Sequence, residues 1–232
     1  MKDILEIQGL TKRYEKFCLD HVSFTVGQGE IMGFIGRNGA GKTTTLKCLL
    51  NYVHPDDGTV TFFGERFPDA ELDIKSRIGF VSGGVDYYLH KKLRAITDVT
   101  RRFYPSWDEE AYRRCLTQFN LDESKSPAQL SAGMKVKYNL ALALSHHAEL
   151  LILDEPTSGL DPVSRDELLD VFLGLSREGT SILFSTHITS DLDKCADRIT
   201  YIHSGHIIAS EESKQFVSAY AAVELAPEEI KH

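Results

Sequence analysis

The fold of this 232-residue chain is decided by one stretch, Gly36-Arg37-Asn38-Gly39-Ala40-Gly41-Lys42-Thr43-Thr44. The apolar run Ile31–Ile35 precedes it and has the composition of a buried strand, while residues 44–50 after it are typical of a helix. Glycines let the backbone curl so that several N–H groups point at one anion, and the following helix adds the positive end of its dipole. Strand, glycine-rich loop, lysine, hydroxyl and helix in this order predict a nucleoside triphosphate site.

The residue types of the loop suit separate tasks in that site. Lys42 can reach the β- and γ-phosphates, and the Thr43 hydroxyl can ligate Mg²⁺. The alternative, an ordinary glycine-rich turn before a helix, is disfavoured because both a strand and a helix flank the loop. The positions expected to bind ATP here are Gly36, Asn38, Gly39, Ala40, Gly41, Lys42, Thr43 and Thr44.

Composition and charge restrict the classes of function. The sequence is 42% hydrophobic and 26% charged, which fits one large globular domain or one domain with a modest insertion. The formal net charge of −8 comes from 34 acidic and 26 basic residues, so a broad nucleic-acid-binding face is disfavoured. The four cysteines lack C-x-x-C spacing, so we expect free thiols rather than zinc ligands or disulfides.

The sequence also gives expectations about the membrane. No signal-peptide apolar region follows Met1, and no apolar stretch approaches the roughly 20 residues that a membrane helix needs. We therefore expect any membrane involvement to come through other subunits.

Residues 1–30 and 88–128 differ in periodicity. The first segment alternates apolar and polar side chains, as in Val22, Phe24 and Val26, which is typical of half-buried antiparallel strands. The second is rich in Arg, Leu, Glu and Ala, which favours helices. Within it, Phe103-Tyr104-Pro105-Ser106-Trp107-Asp108 is an interruption, and Asp108 is placed to cap the helix that follows.

Short apolar runs return in the last third of the chain, at 150–153, 181–184 and 199–202. The first two are continuous, as is typical of parallel strands buried on both faces. A helix separates them, with Asp161 as its cap and Pro162 in its first turn. We predict an α/β core with an antiparallel β subdomain over 1–83 and 147–220, a helical subdomain over 84–146, and an acidic tail over 221–232.

Two adjacent carboxylates follow the apolar run Leu150–Leu153. A buried strand that ends in acids presents them at its carboxyl edge, where open α/β sheets bind ligands. Successive side chains point to opposite faces, so we expect Asp154 to hold Mg²⁺ and Glu155 to act as general base on the attacking water. The alternative is a pair of solvated acids at the end of a strand.

Three elements after the phosphate loop give the sequence its most specific resemblance. They are Leu130-Ser131-Ala132-Gly133-Met134, then Leu153-Asp154-Glu155-Pro156-Thr157-Ser158-Gly159-Leu160-Asp161, then Ser185-Thr186-His187. In order and spacing the chain resembles the ATP-binding subunit of an ABC transporter over residues 4–210. The resemblance implies a P-loop NTPase fold of the ABC type, with a mixed sheet core, an antiparallel β subdomain and an inserted α-helical subdomain.

The resemblance implies a head-to-tail dimer with ATP and Mg²⁺ between the phosphate loop of one subunit and Ser131 and Gly133 of the other. It further implies that Tyr14 stacks on adenine, that His187 contacts the γ-phosphate and orients the catalytic water, and that Asp161 communicates with the opposite site. Without the neighbouring motifs, Ser131 and Asp161 would be read as helix caps and Tyr14 as a surface residue.

The sequence departs from the family pattern in two places. After the strand Ile78–Val81 the family has a Gln that touches Mg²⁺, whereas Ser82, Gly83 and Gly84 stand here, and Asp86 substitutes only if the loop shifts. The signature is LSAGM rather than LSGGQ. Because its Ser and second Gly remain, we expect the contact with the γ-phosphate to survive.

The chain looks most like the bacterial ABC-2-type exporter ATPases, which pair with integral membrane permeases. The resemblance implies a cytoplasmic protein, peripheral at the inner face of the cell membrane, that exports a drug, an antimicrobial peptide or an envelope-related substrate. Phe103, Tyr104 and Trp107 either dock the permease or form a small core of their own subdomain. The dimer is either a homodimer or a heterodimer with a paralogous ATPase.

Two other functions remain as alternatives. A soluble ABC ATPase acting on nucleic acid or ribosomes is disfavoured by the single phosphate loop, the absence of a heptad run and the negative charge. A regulatory module that binds ATP without hydrolysis is disfavoured by the presence of Lys42, Glu155 and His187, although the missing Gln keeps it open.

Overall fold

The computed structural model describes residues 2–82 and 88–219, which form two sheets with helices around the larger one. The antiparallel sheet comprises β1 (Asp3–Arg13), β2 (Cys18–Gly27), β4 (Asp57–Phe62) and β5 (Glu65–Arg66). The larger sheet comprises β3 (Ile31–Ile35), β6 (Ile78–Ser82), β7 (Leu150–Asp154), β8 (Ser181–Thr186), β9 (Arg198–His203) and β10 (His206–Glu212). Their spatial orders are β2-β1-β4-β5 and β10-β9-β3-β8-β7-β6.

The helices are α1 (Lys42–Leu49), α2 (Glu71–Ser76), α3 (Leu93–Thr100), α4 (Glu109–Gln118), α5 (Ala132–Ser145), α6 (Pro162–Arg177), α7 (Thr189–Cys195) and α8 (Ser213–Ala219). Short 3₁₀ turns lie at Phe67–Asp69, Arg101–Phe103 and Pro127–Gln129. Over residues 2–82 and 88–219, none of the helices is long and apolar enough to cross a bilayer.

The larger sheet is mixed, as predicted. β6, β7, β8, β3 and β9 run parallel to their neighbours, and β10 closes the far edge as an antiparallel hairpin with β9. Its central strands are apolar on both faces because each face carries its own core. Ile31 packs into the core under α5 and α6, whereas the next residue, Met32, packs into the core shared with α1 and the antiparallel sheet.

Two predicted caps are confirmed. The Asp108 carboxylate accepts hydrogen bonds from the backbone of Glu110 and Ala111 at the start of α4. The Asp161 carboxylate does the same at the start of α6, where Pro162 occupies the first helical position.

The bounds of some elements differ from expectation for local reasons. α1 begins at Lys42 rather than Thr44, because Gly41 takes a left-handed conformation and serves as its N-cap. Beyond its predicted interruption, the helical run 88–128 ends earlier than expected, since Asn120 has a φ of 51° and the chain leaves helical geometry after Gln118. β1 is eleven residues long and pairs with β2 on one side and β4 on the other. The expectations for Gly83, Gly84, Asp86 and the tail over 221–232 lie outside the described residues.

The three aromatic residues of the interruption have different surroundings. Tyr104 stacks on the imidazole of His146 with ring centroids 3.8 Å apart, and the Trp107 ring lies 5.4 Å from that of Tyr112. Phe103 is 75% exposed. His146 Nδ1 also lies 3.0 Å from the carbonyl oxygen of Ser76, and burial lowers the pKa of its ring. Tyr104 and Trp107 therefore belong to the packing of the helical segment, whereas Phe103 is open to other contacts.

Candidate functional site

The predicted phosphate loop connects the end of β3 to the start of α1. At Gly36 an added Cβ would lie 2.5 Å from the carbonyl oxygen of Ile202, so no larger residue fits against β9. Gly41 has a φ of 116°, which L side chains rarely adopt. Steric exclusion at one end of the loop and conformation at the other therefore require glycine. The N-terminus of α1 follows the loop directly, and a helix N-terminus favours an anion.

Lys42 is buried at the base of this loop, with 6% of its surface exposed. Its ammonium donates to the carbonyl of Gly36 at 2.6 Å and forms an ion pair with Glu155 Oε1 at 3.1 Å. A buried ammonium is costly without such partners. A phosphate that binds Lys42 would therefore enter beside the Glu155 carboxylate.

Asp154 is joined to the loop through hydroxyl groups. One of its oxygens accepts from Thr43 Oγ1 at 2.8 Å, and the other accepts from Ser185 Oγ at 2.7 Å. A hydroxyl and a carboxylate side by side form the hard oxygen donor set that Mg²⁺ prefers in nucleotide sites, so these residues fit the ion. Ser82 is paired in register with Asp154 on the neighbouring strand. It is the first of the three residues that stand where the ABC pattern has its Gln.

Glu155 leaves the strand in an unusual conformation. Its φ is 50°, a left-handed conformation that costs free energy for a non-glycine residue and persists where the surroundings hold it. Its backbone N–H donates to Ser185 Oγ at 2.9 Å, and its Oε2 lies 2.8 Å from Nδ1 of His187. Lys42 and His187 thus hold different oxygens of one carboxylate.

An open cavity of about 630 Å³ lies over these groups. Its walls include Lys42, Thr43, Glu155 and His187 from the predicted site. The lining also includes residues that the sequence analysis did not assign, namely Lys16, Phe17, Arg37 and Ser158.

Tyr14, the predicted adenine contact, stands beside this cavity rather than in its lining. Its ring is 49% exposed and its centroid lies 6.4 Å from that of Phe17, which does line the cavity. The turn that follows β1 closes with a hydrogen bond from Tyr14 N to the Phe17 carbonyl, so both rings are presented from one tight turn.

The residues of the signature lie on a different surface. Among the described residues that line the cavity, Ser131, Gly133 and Asp161 do not occur. The Ser131 hydroxyl accepts from the backbone of Met134 at the start of α5, and a Cβ at Gly133 would lie 3.7 Å from the Leu160 side chain. The signature therefore packs against the loop that carries Asp161.

Asp161 has hydrogen-bonding partners at the start of α6. The Ser164 side chain, together with the backbone N–H groups of Ser164 and Val163, holds the pKa of the Asp161 carboxyl below its usual value. The residue is therefore a charged cap on the surface that also carries the signature.

Ser185 is the main residue of the site that sequence reasoning missed. It is fully buried and connects both adjacent acids, accepting from the backbone of Glu155 and donating to Asp154. The signal was a polar Ser-Thr pair that continues an apolar strand. That pair lies beside the acids only because β7 and β8 are parallel neighbours, with Asp154 opposite Ser185 in register.

Comparison with known proteins identifies relatives of this chain. The family model described as ABC transporter matches residues 19–158. The bacitracin transport ATP-binding protein BcrA of Bacillus licheniformis is 35% identical over 212 residues, covering 90% of this chain and 69% of the relative. The Nod factor export ATP-binding protein I of Burkholderia lata is 36% identical over 211 residues, covering 88% of this chain and 69% of the relative.

Solved structures have the same fold. An ATP-binding subunit of an ABC transporter superposes with a TM-score of 0.82 at 29% identity, covering 94% of this chain and 95% of the other. A nucleotide-free ATP-binding cassette from an ABC transporter superposes with a TM-score of 0.81 at 21% identity, covering 94% and 96% of the two chains.

Proposed function

Because this chain belongs to the ABC transporter family and is an ATP-hydrolysing subunit, we propose that its own Glu155 performs the hydrolysis that drives export through a membrane permease. The observation that carries the proposal is the position of the Glu155 carboxylate between the buried Lys42 ammonium and the His187 imidazole. The carboxylate therefore lies beside the Lys42 ammonium, to which a terminal phosphate would bind.

In this proposal three side chains divide the work of phosphoryl transfer. Lys42 binds the β- and γ-phosphates of ATP and gives up part of its contact with Glu155 as it does so. Glu155 then accepts a proton from the attacking water as general base. His187 holds the Glu155 carboxylate through Nδ1 and orients it toward that water.

Thr43 and Asp154 would hold Mg²⁺. When bound, the ion neutralises charge on the phosphates and fixes their orientation. Ser185 supports this arrangement because its hydroxyl fixes Asp154 and the backbone of Glu155 at the same time. Tyr14 stacks on the adenine at the outer edge of the cavity.

The signature surface completes the site of a second copy in this proposal. Ser131 and Gly133 start a helix whose N-terminal amides suit a phosphate, yet neither lines the cavity that holds Lys42. A head-to-tail dimer brings this helix end to the other subunit's γ-phosphate, with Asp161 facing the same interface.

We place the permease against a second cavity of about 390 Å³ between the sheet edge and the helical segment. Its walls include Tyr52, Phe80, Ser82 and Tyr104, and Tyr52 is 60% exposed with its ring packed edge-on against Phe80. Half-exposed aromatic side chains suit a short apolar segment of a partner. The exposed Phe103 extends the same contact, so that the chain sits peripherally at the cytoplasmic face.

Export is the direction favoured by relatives named for bacitracin transport and Nod factor export. We infer a cargo of the same broad kind, a drug, an antimicrobial peptide or an envelope-related molecule. The choice of cargo belongs to the permease.

ATP turnover with Mg²⁺ tests the proposed role of Glu155. Glu155→Gln keeps the size of the side chain and its ability to accept from His187, but removes the base. We expect turnover to fall at least about 100-fold while ATP binding is retained. Glu110→Gln, at an exposed position in α4, is the matched control and should turn over like wild type. Normal turnover in Glu155→Gln would refute the assignment.

A further inference from the structure

A buried carboxylate behind the site has no part in the mechanism above. Asp191 lies in the first turn of α7 and is fully buried. Its Oδ2 accepts from Thr157 Oγ1 at 2.6 Å and lies 3.4 Å from Thr186 Oγ1. Thr157 follows Glu155 by two residues and Thr186 directly precedes His187. One carboxylate therefore ties together the loops that carry both groups.

The other oxygen of Asp191 faces a guanidinium. Asp191 Oδ1 lies 3.9 Å from Nε of Arg165, and over residues 2–82 and 88–219 these are the two buried side-chain polar atoms without a hydrogen bond. Arg165 Nη2 approaches the carbonyl of Leu160 at 3.5 Å, which connects the pair to the loop before α6. A charge-assisted hydrogen bond is about 1 Å shorter, so a small movement of the loops would complete it.

The fold does not require this pair to hold α6 against α7. Lys194 of α7 already bridges Asp166 and Asp170 of α6, with contacts of 2.5 and 2.8 Å. Apolar side chains in place of Asp191 would satisfy packing without the cost of burying a charge. The contacts of the carboxylate instead run to the loops of the site, and this distribution suggests a role there.

We propose that Asp191 and Arg165 are positioning residues, which hold the loops of Glu155 and His187 in register. When nucleotide fills the site, the distance between Asp191 and Arg165 shortens to that of a direct hydrogen bond. The inference rests on the proposed roles of Glu155 and His187 in hydrolysis. Neither Asp191 nor Arg165 touches the nucleotide in this account. They act through Thr157, Thr186 and the carbonyl of Leu160.

The test measures Asp191→Asn, Arg165→Gln and the double variant that carries both changes. Lys194→Gln is the control, because it breaks only the exposed link between the same two helices. ATP turnover gives kcat and KM, and the ring nitrogen chemical shifts of His187, measured by NMR without nucleotide, report its surroundings independently of turnover. We expect kcat to fall about 10- to 100-fold with KM nearly unchanged. The His187 ring shifts should move, and Lys194→Gln should match wild type in both readouts.

Coupling between the two residues gives the decisive comparison. If they act through one shared interaction, the double variant loses no more activity than the single variant with the lower kcat. Losses that multiply in the double variant, or an Asp191→Asn kcat equal to that of wild type, would overturn the proposal. Should Asp191→Asn fail to fold, the partly exposed Arg165→Gln and the hydroxyl deletion Thr157→Val are judged by the same criteria.

A failure of the proposed function has a different appearance. Wild type that binds ATP without turnover would refute the hydrolytic role of Glu155. In that case the positioning role is judged separately by NMR. It would be overturned if the ring nitrogen chemical shifts of His187 in Asp191→Asn and in Arg165→Gln equalled those of wild type.

Discussion

The phosphate loop and the start of α5 both offer backbone amides and a hydroxyl to a phosphate, but they differ in how complete they are. At the loop, Lys42 pairs with Glu155 and Thr43 donates to Asp154, so two chain segments are already joined. At α5, the exposed Ser131 hydroxyl accepts from the backbone of Met134 in its own helix. In the proposed dimer the first region is a site in its own right, whereas the second is half of one.

This difference indicates where the free energy of nucleotide binding originates. The loop presents a buried cation and fixed amides to phosphates, which gives binding within one chain. In the proposed dimer, the start of α5 adds contacts only when a second copy brings it near. We therefore expect changes in the loop to abolish binding and changes in α5 to abolish turnover alone.

Lys42→Ala should have the largest effect. It removes the buried cation and the ion pair of Lys42 with Glu155, so we expect kcat/KM for ATP to fall about 1000-fold and ATP affinity to fall with it. Binding of a fluorescent ATP analogue and turnover are the measurements. Lys47→Ala, exposed in the same helix, is the control and should behave like wild type. Wild-type affinity in Lys42→Ala would contradict a self-sufficient loop.

Ser131→Ala should lower turnover about 100-fold without changing ATP affinity, because in the proposed dimer the hydroxyl serves the other copy. Ser126→Ala is the matched control, since its hydroxyl donates to Gln129 nearby in the same segment. Affinity that falls in parallel with turnover would mean that Ser131 acts within its own chain.

Thr97→Val tests the segment that carries α5 without touching either half of the site. The Thr97 hydroxyl lies 2.8 Å from that of Tyr112 and 2.9 Å from that of Tyr138, and burial raises the pKa of Tyr112. We expect the free energy of unfolding to fall by about 1–3 kcal/mol, with ATP affinity unchanged. Thr100→Val, whose hydroxyl bonds only to the carbonyl of Ile96 in the same helix, should cost less in chemical denaturation.

The smallest effect concerns acid stability. Backbone N–H groups of Ala111 and Glu110 hold the pKa of Asp108 below its ordinary value of 3.8. Its stabilising contribution is present above that value and is lost as pH falls through the lower folded pKa. Asp108→Asn keeps a capping side chain without the charge, so its thermal midpoint should decline less than that of wild type below about pH 4. Parallel declines would contradict the charged cap.

The parts predicted from sequence are those in which local pattern determines structure. The phosphate loop, the adjacent acids at a strand end and the caps Asp108 and Asp161 each follow from neighbouring residues. The predicted start of α1 was wrong by two positions, because the conformation of Gly41 determines where the helix begins.

The supports of the site could not be predicted, because they depend on register between distant segments. Ser185 reaches Asp154 only through the pairing of β7 with β8. Asp191 reaches Thr157 across 34 residues of sequence, and the link between Asp191 and Arg165 passes between two helices. No local pattern marks such contacts.

The most direct test of the difference between the phosphate loop and the start of α5 uses a mixture of Lys42→Ala and Ser131→Ala chains. ATP turnover is measured while dimer mass is followed by light scattering. Each variant alone has no intact site. A mixed dimer regains one, in which the loop of the Ser131→Ala chain meets the signature of the Lys42→Ala chain. We predict recovery of about a quarter of wild-type turnover in an equal mixture, since half of randomly formed dimers are mixed and each has one intact site of two. No recovery above the sum of the separate variants, with mixed dimers present, would contradict the account.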